Sequence, residues 1–334
     1  MIMKKNGSEV SSVHDMIIVG SGPCGLACAI EAKIHGLDFV VLEKGSIVES
    51  VVGYPTYMIL SSTTDMLEVG GLPFVVQGCR PTRQEAVRYY LRAAQHFAIP
   101  IKTYRQVTDI QRTDTGFMVH AKNVFTGEVR IYFSKRVIVA TGCYNTPNLL
   151  DIPGEDLPHV SHYFKEAFPY SGRKAVVVGG GNSAAETALD LYRHGADVTL
   201  VHRCDQLDGN VKPWIGADIL SRILKEDIPT FFNSHLESIQ PRSVTIRRDG
   251  DRYEVEADFV FLMTGYRPNT KLLVDTGVAL DEYGFPTHNP LTMETNVPGL
   301  YVAGAISEGW RVTQANIEKG RFHGKRIIQS FDEV

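Results

Sequence analysis

Residues His14 to Lys44 read HDMIIVGSGPCGLACAIEAKIHGLDFVVLEK, and the fold follows from how this stretch is parsed. An apolar run, Met16 to Val19, meets Gly20-Ser21-Gly22-Pro23-Cys24-Gly25, which opens a helical pattern through Leu26, Ala29, Ala32 and Lys33. That is a strand, a tight turn and a helix. A second apolar run, Phe39 to Leu42, ends at Glu43, about twenty residues past the glycines, where a ribose-binding acid is expected. Gly20 permits the turn, Gly22 lets backbone approach a pyrophosphate, and Gly25 lets helix and strand pack. The helix N-terminus then faces the negative charge.

The unit occurs twice. Lys174 to Val178 leads into Gly179-Gly180-Gly181-Asn182-Ser183-Ala184, and one constant shift of numbering carries Gly20 onto Gly179, Gly22 onto Gly181 and Gly25 onto Ala184. The same shift carries Glu43 onto His202 and Lys44 onto Arg203. An acid at the strand end suits an unmodified ribose, whereas Arg203 suits a 2′-phosphate because a guanidinium grips phosphate with two hydrogen bonds. The expected fold is α/β with two Rossmann-like dinucleotide-binding domains. The expected cofactors are FAD at the first turn and NADPH at the second.

A length of 334 residues allows two substantial cores. With 22% charged residues and a net charge of -4, nothing in the composition points to nucleic acid or a membrane surface. Met1 to Ser12 is polar without an apolar core, so a secretory signal is not expected, and residues 1–13 read as a disordered tail. No apolar run approaches the roughly 18 residues needed to span a bilayer. Five scattered cysteines (Cys24, Cys28, Cys79, Cys143, Cys204) form no CxxC pair, which fits a reducing, cytoplasmic setting. No metal site is expected.

Between the two units, Glu49 to Val76 reads as loop with short helical turns, and a helix starts at Pro81 or Thr82 with Val87, Tyr90, Leu91 and Ala94 at helical spacing. Gln106–Ile110, Phe117–Ala121 and Val129–Phe133 read as an antiparallel meander, followed by a separate buried strand from Arg136 to Thr141-Gly142. Asp249-Gly250 marks a hairpin. Phe259 to Gly265 repeats the buried strand ending in Thr-Gly, and Val297 to Gly304-Ala305 supplies the last one. A final helix is expected from about Thr313 to Gln329, with Thr313-Gln314-Ala315 offering free N–H groups to the flavin end.

The order of these motifs resembles the thioredoxin reductase-like flavoproteins over nearly the whole chain, about Asp15 to Ile328. The resemblance implies a three-layer ββα architecture in each domain. It also implies a discontinuous FAD domain (14–160 and 268–334) and an inserted NADPH domain (161–267). On this basis the FAD site comprises Gly20, Ser21, Gly22, Pro23, Cys24, Gly25, Glu43, Lys44, the Val107 backbone, Thr141, Gly142, Gly304, Ala305 and Thr313 to Ala315. The NADPH site comprises Gly179, Gly181, Asn182, Ser183, Ala184, His202, Arg203, Lys212 and Gly265. A homodimer or larger homo-oligomer is implied as well.

Two departures narrow the expectation. Val160 to Lys165 stands where thioredoxin reductases carry CxxC, and Gly304-Ala305 stands where the family has Gly-Asp. Gly22-Pro23-Cys24-Gly25, with Tyr54-Pro55-Thr56-Tyr57-Met58 and the Thr313-Gln314-Ala315 region, resembles a narrower group lacking CxxC, the bacillithiol disulfide reductases, which implies NADPH-dependent reduction of a low-molecular-weight disulfide in redox homeostasis. Cys24, at a helix N-terminus where a thiol pKa is lowered, is a candidate nucleophile, with a packing role as the other reading. Tyr54 is a candidate ring beside the flavin. A ferredoxin or flavodoxin NADP reductase and a nucleotide-binding redox sensor are the rival functions.

Overall fold

A computed structural model of the chain describes residues 13–308 and 317–331. These divide into two compact units. One comprises residues up to Gly53, Met58–Thr146 and the chain from Arg267 onward; the other comprises Tyr54–Tyr57 and Pro147–Tyr266.

In the first unit, strand Val13–Val19 pairs in parallel with Phe39–Leu42 on one side and with Val129–Val139 on the other. Ile101–Lys102 extends one edge, and Leu300–Val302 pairs in parallel with the end of Val129–Val139. The beginning of Val129–Val139 pairs antiparallel with Gly116–Asn123, which pairs with Arg105–Thr113. The meander and the buried strand expected at Arg136 are therefore joined in one strand. Only Ser134-Lys135 separates the two apolar runs, with no Gly or Pro to break the ladder, and Ser134 is buried.

Helix Pro23–Ile34 is buried nearly all round, with Leu26, Cys28, Ala29, Ile30 and Ala32 inaccessible. The helix His323–Gln329 packs on it through a glycine: a Cβ at Gly324 would stand 2.6 Å from Cys28 Cα. Cys28 is thus a packing residue. Helix Arg83–His96 begins at Thr82, whose Oγ1 accepts from Glu85 N at 3.2 Å while Glu85 accepts from Thr82 N at 2.8 Å. That reciprocal cap explains why Thr82 rather than Pro81 sets the helix start. The expected final helix is two short ones, Ile317–Gly320 and His323–Gln329; residues 309–316 lie outside the described residues.

In the second unit all pairings of the central sheet are parallel, in the order Thr230–Phe231, Asp197–Val201, Lys174–Val178, Phe259–Leu262, Val160–Ser161. Helix Asn182–Arg193 packs its alanine-rich face into the core beneath this sheet. A three-stranded antiparallel sheet, Ser234–Ile239, Ser243–Arg248 and Asp251–Glu256, covers the other core. Its hairpin turns at Asp249 and Gly250, both at positive φ, the geometry an Asp-Gly turn favours.

The unit begins at Pro147, earlier than residue 161, because the intervening segment is tied into it. Asn148 N donates to Gly265 O at 3.0 Å, and Ile239 N donates to Pro153 O at 2.8 Å. Tyr54–Tyr57 also belongs here: Thr56 N donates to Lys165 O at 2.7 Å, and Tyr57 meets Phe168 edge-on at 6.0 Å.

Candidate dinucleotide sites

The first glycine turn is held by contacts that admit no side chain. Gly20 has φ +104°, and a Cβ there would stand 2.6 Å from Ala140 O; a Cβ at Gly25 would stand 2.1 Å from Gly20 O. Gly22 is the opposite case. Its nearest neighbour, Ser50 Oγ, is 4.0 Å from a Cβ position, so the face of the turn is open. Gly22 is also the N-cap of Pro23–Ile34, and no side chain caps that helix. An uncapped helix start beneath an open glycine fits a pyrophosphate.

Glu43 is buried, and its carboxylate ties the turn to the second strand. One oxygen accepts from Ser21 N at 2.7 Å and Ser21 Oγ at 3.1 Å, and the other accepts from Gly45 N at 2.8 Å. Spare lone pairs remain for ribose hydroxyls. Lys44 is exposed just beyond it. Thr141 adjoins Gly20, and Gly142, at φ +68°, has no neighbour within 4 Å of a Cβ position among the described residues. Val107 lies at a register irregularity in its strand pairing.

Gly304 ends the last strand at φ +73°, next to half-buried Ala305. Its N–H donates to His323 Nδ1 at 3.1 Å and its carbonyl accepts from Ser307 Oγ at 2.8 Å. His323 was not anticipated from sequence. It is buried, and burial first, then Arg326 and His288, hold its pKa down to about 4, so the neutral ring keeps a lone pair for Gly304. The signal was present as a lone polar residue among Gly320, Gly324, Ile327 and Ile328. Thr313, Gln314 and Ala315 lie outside the described residues.

Cys24 projects at this same place. Its Sγ is 2.9 Å from a Cβ position at Gly304 and 2.5 Å from one at Gly320. Although part of the residue reaches the surface, burial pushes its thiol up to about 12. The lowered pKa expected from the helix N-terminus is thus reversed. A helix end contributes about 0.3–1 kcal/mol at exposed sites, too little to offset desolvation of a thiolate. Tyr54, the other candidate catalytic residue, groups with the second unit.

The second turn repeats the backbone logic. A Cβ at Gly179 would stand 2.4 Å from Met263 O, and Ala184 takes the place of the third glycine. Gly181 caps helix Asn182–Arg193, again without a side-chain cap. Here the turn is covered. The His202 ring lies on Gly180, 2.2 Å from a Cβ position, and Asp208 Oδ2 is 3.2 Å from one at Gly181. His202 is buried and its pKa is lowered, chiefly by that burial, so it packs as a neutral ring. Arg203 is exposed and forms no ion pair with any described residue.

Asn182 joins the helix start to the following loop: its Oδ1 accepts from Lys212 N at 2.9 Å, and its Nδ2 donates to Asn210 O at 3.2 Å. Ser183 is exposed, and Gly265, at φ +85°, adjoins the Asn148 side chain. Glu186, not singled out from sequence, sits one turn into the helix, its pKa raised by burial against the opposing influence of Lys212. Among the described residues no three His, Cys, Asp or Glu side chains are grouped to hold a metal ion.

Two units, each with a glycine turn leading from a parallel strand into a helix start that no side chain caps, fit the binding of nucleotides. The family of pyridine nucleotide-disulphide oxidoreductases matches residues 17–304, and the chain belongs to it. It is 38% identical over 313 residues to bacilliredoxin reductase Bdr of Bacillus subtilis, covering 93% of this chain and 95% of that one. The solved bacillithiol disulfide reductase Bdr (YpdA) from Bacillus cereus superposes with a TM-score of 0.94 at 36% identity, covering 96% of this chain and 99% of that chain. A solved thioredoxin reductase from T. acidophilum shares the fold, with a TM-score of 0.75 at 23% identity, over 96% of this chain and 98% of that chain. The chain is thus an FAD- and NAD(P)H-dependent oxidoreductase.

The cysteine environments separate in reactivity. Cys79 and Cys204 are exposed, whereas burial raises the thiols of Cys24, Cys28 and Cys143. Iodoacetamide at neutral pH is expected to label Cys79 and Cys204 in the folded protein and Cys24 only after unfolding, as read by peptide mass spectrometry. Rapid labelling of Cys24 in the folded state would contradict this assignment.

Proposed function

We propose that the chain reduces a low-molecular-weight disulfide with NADPH, and that the disulfide is that of bacillithiol. Bound FAD and NADPH supply the hydride chemistry; one NADPH and one proton are consumed as one disulfide becomes two thiols. The chain's own part is to hold the two nucleotides at separate turns and to keep a thiol beside Gly304.

The observation that carries the reading is the fate of the cysteines. All five are free, and none pairs with another to form an internal dithiol relay. A small disulfide that meets a bound flavin directly needs no such relay. The name of the Bacillus cereus protein supports the same substrate, at 36% identity over nearly the full length. The name of the Bacillus subtilis relative favours a second acceptor, a bacilliredoxin, and the assay below separates the two.

For the second cofactor, exposed Arg203 at the strand end supports NADPH over NADH, aided by Lys212. Removing a charge-assisted contact costs about 1.5–3 kcal/mol, so Arg203→Ala is expected to raise the KM for NADPH roughly tenfold to hundredfold. The KM for NADH should hardly move. Equal effects on both cofactors would remove Arg203 from the 2′-phosphate site.

The substrate assay follows NADPH oxidation by FAD-loaded protein with bacillithiol disulfide, or with oxidised bacilliredoxin. Turnover with the small disulfide alone is the expected result; turnover only with the protein disulfide would shift the assignment. In Cys24→Ala that still binds FAD, retained turnover assigns electron delivery to the flavin, and lost turnover assigns it to the thiol. The high pKa of Cys24 weighs against a resting thiolate.

No helix among the described residues is long and apolar enough to cross a membrane. Free, unpaired cysteines support a cytoplasmic setting. The resemblance to thioredoxin reductase-like proteins supports a homodimer or larger assembly. Light scattering should then give at least twice the chain mass of 37.0 kDa, and a monomer mass would refute it.

A further inference from the structure

The loop Cys204 to Lys212 closes over the second glycine turn through contacts from its backbone and its side chains. Asp208 N donates to Gly180 O at 3.0 Å, and Val211 N donates to Asp208 O at 3.0 Å. Asn182 fastens the far end of the loop through its bonds to Asn210 and Lys212. These bonds place one carboxylate over the start of the uncapped helix. Asp208 Oδ2 stands 3.2 Å from a Cβ position at Gly181, while Oδ1 is 3.5 Å from His202 Nε2.

The His202 ring borders the same space, its Nε2 facing Asp208 at 3.5 Å. His202 is 5% exposed, and its buried Nε2 lacks a hydrogen-bond partner at normal distance. A buried ring nitrogen in that condition faces a place that another polar group can fill. Among the described residues the first glycine turn has no counterpart to this cover: only Ser50 Oγ comes as near as 4.0 Å to a Cβ position at Gly22.

We propose that the Asp208 carboxylate is a built-in occupant of the second phosphate-binding turn, which an incoming dinucleotide must displace. Asp208 thereby sets the affinity for the pyrophosphate that NADPH and NADH share. The proposal rests on the reading of this turn as a dinucleotide site. Asp208 makes no hydrogen bond to the helix N–H groups and holds the space by proximity and charge, since the positive helix end favours a carboxylate as it favours a pyrophosphate. The two anions cannot share the space, since like charges at contact repel. The binding free energy therefore contains the work of moving Asp208 out and releasing its loop.

The direction of the effect distinguishes Asp208 from Arg203. Arg203 acts on the 2′-phosphate and so on one cofactor only. Asp208 acts at Gly181, where the two cofactors are identical, and its influence falls on both alike.

The test is isothermal titration of FAD-loaded protein with NADP⁺ and with NAD⁺, which bind without reducing the flavin. Asp208→Asn keeps the backbone bond to Gly180 and removes the charge. Because the Asp208 side chain is 47% exposed, solvent screening limits the gain, and both dissociation constants are expected to fall about two- to fivefold. Asp205→Asn, an equal charge change in the same loop, should leave both constants as they are, and flavin content should match wild type in every variant.

Unchanged constants in Asp208→Asn would overturn the proposal. So would an equal gain in Asp205→Asn, which would reduce the effect to net charge, or a gain confined to NADP⁺, which would move the carboxylate to the ribose. If neither wild type nor Asp208→Asn binds either dinucleotide, the assignment of the turn itself fails, and the proposal with it.

Discussion

Everything in this molecule depends on a backbone-to-backbone contact too close for a Cβ atom. Gly25 can press onto Gly20 O, and Gly20 onto Ala140 O, only because neither carries a side chain. Adding one methyl group there would force the backbone to shift, at a cost of about 1–3 kcal/mol or more. The contact seats the helix directly on the strand end. In both units the turn glycine donates to the end of the neighbouring strand, Gly20 N to Leu42 O and Gly179 N to Val201 O. In both, the next strand donates back, Ala140 N to Val19 O and Met263 N to Val178 O. The same geometry at three strand ends is built twice from unlike side chains.

What distinguishes the units is the surface each turn presents. The first is open above Gly22 and is braced from the side by Glu43, whose carboxylate bonds to the turn amide of Ser21. The second is covered by a neutral histidine ring and a carboxylate. A cofactor that stays bound through turnover is served by a preformed cradle. One that must arrive and leave on every cycle is served by a turn whose occupant can be exchanged, because part of its binding energy is used in displacing that occupant and release is correspondingly easier.

The repeated glycine turns were legible in the sequence because they are local: a few residues in fixed order impose the geometry. The strands, the Asp249-Gly250 hairpin and the helix at Thr82 were legible for the same reason. The continuity of Val129–Val139 was less so, since a strand that changes partners midway has no local mark of the change. The junction at Pro147 was obscured because Pro and Gly richness signals turns but not which core they attach to. His323 and Asp208 acquire their significance from contacts with Gly304 and Gly181, and spacing along the chain carries no trace of either. The Cys24 environment is set by Gly304 and Gly320, distant in sequence, which enclose the sulfur, and the adjacent helix end gives no sign of them.

The replacement of a carboxylate by alanine after Gly304 has its counterpart in the same turn. An aspartate there would place an anion beside the enclosed Cys24, making a thiolate costlier still. In its absence the turn is shaped by neutral groups, the His323 lone pair on the Gly304 amide and the Ser307 hydroxyl on its carbonyl. A neutral turn leaves the charge balance around Cys24 to whatever binds there. Ala305 brings no charge to this position, and hydrogen bonds hold the backbone shape. Shape without charge suffices for a turn whose task is to hold a fixed surface against the thiol of Cys24.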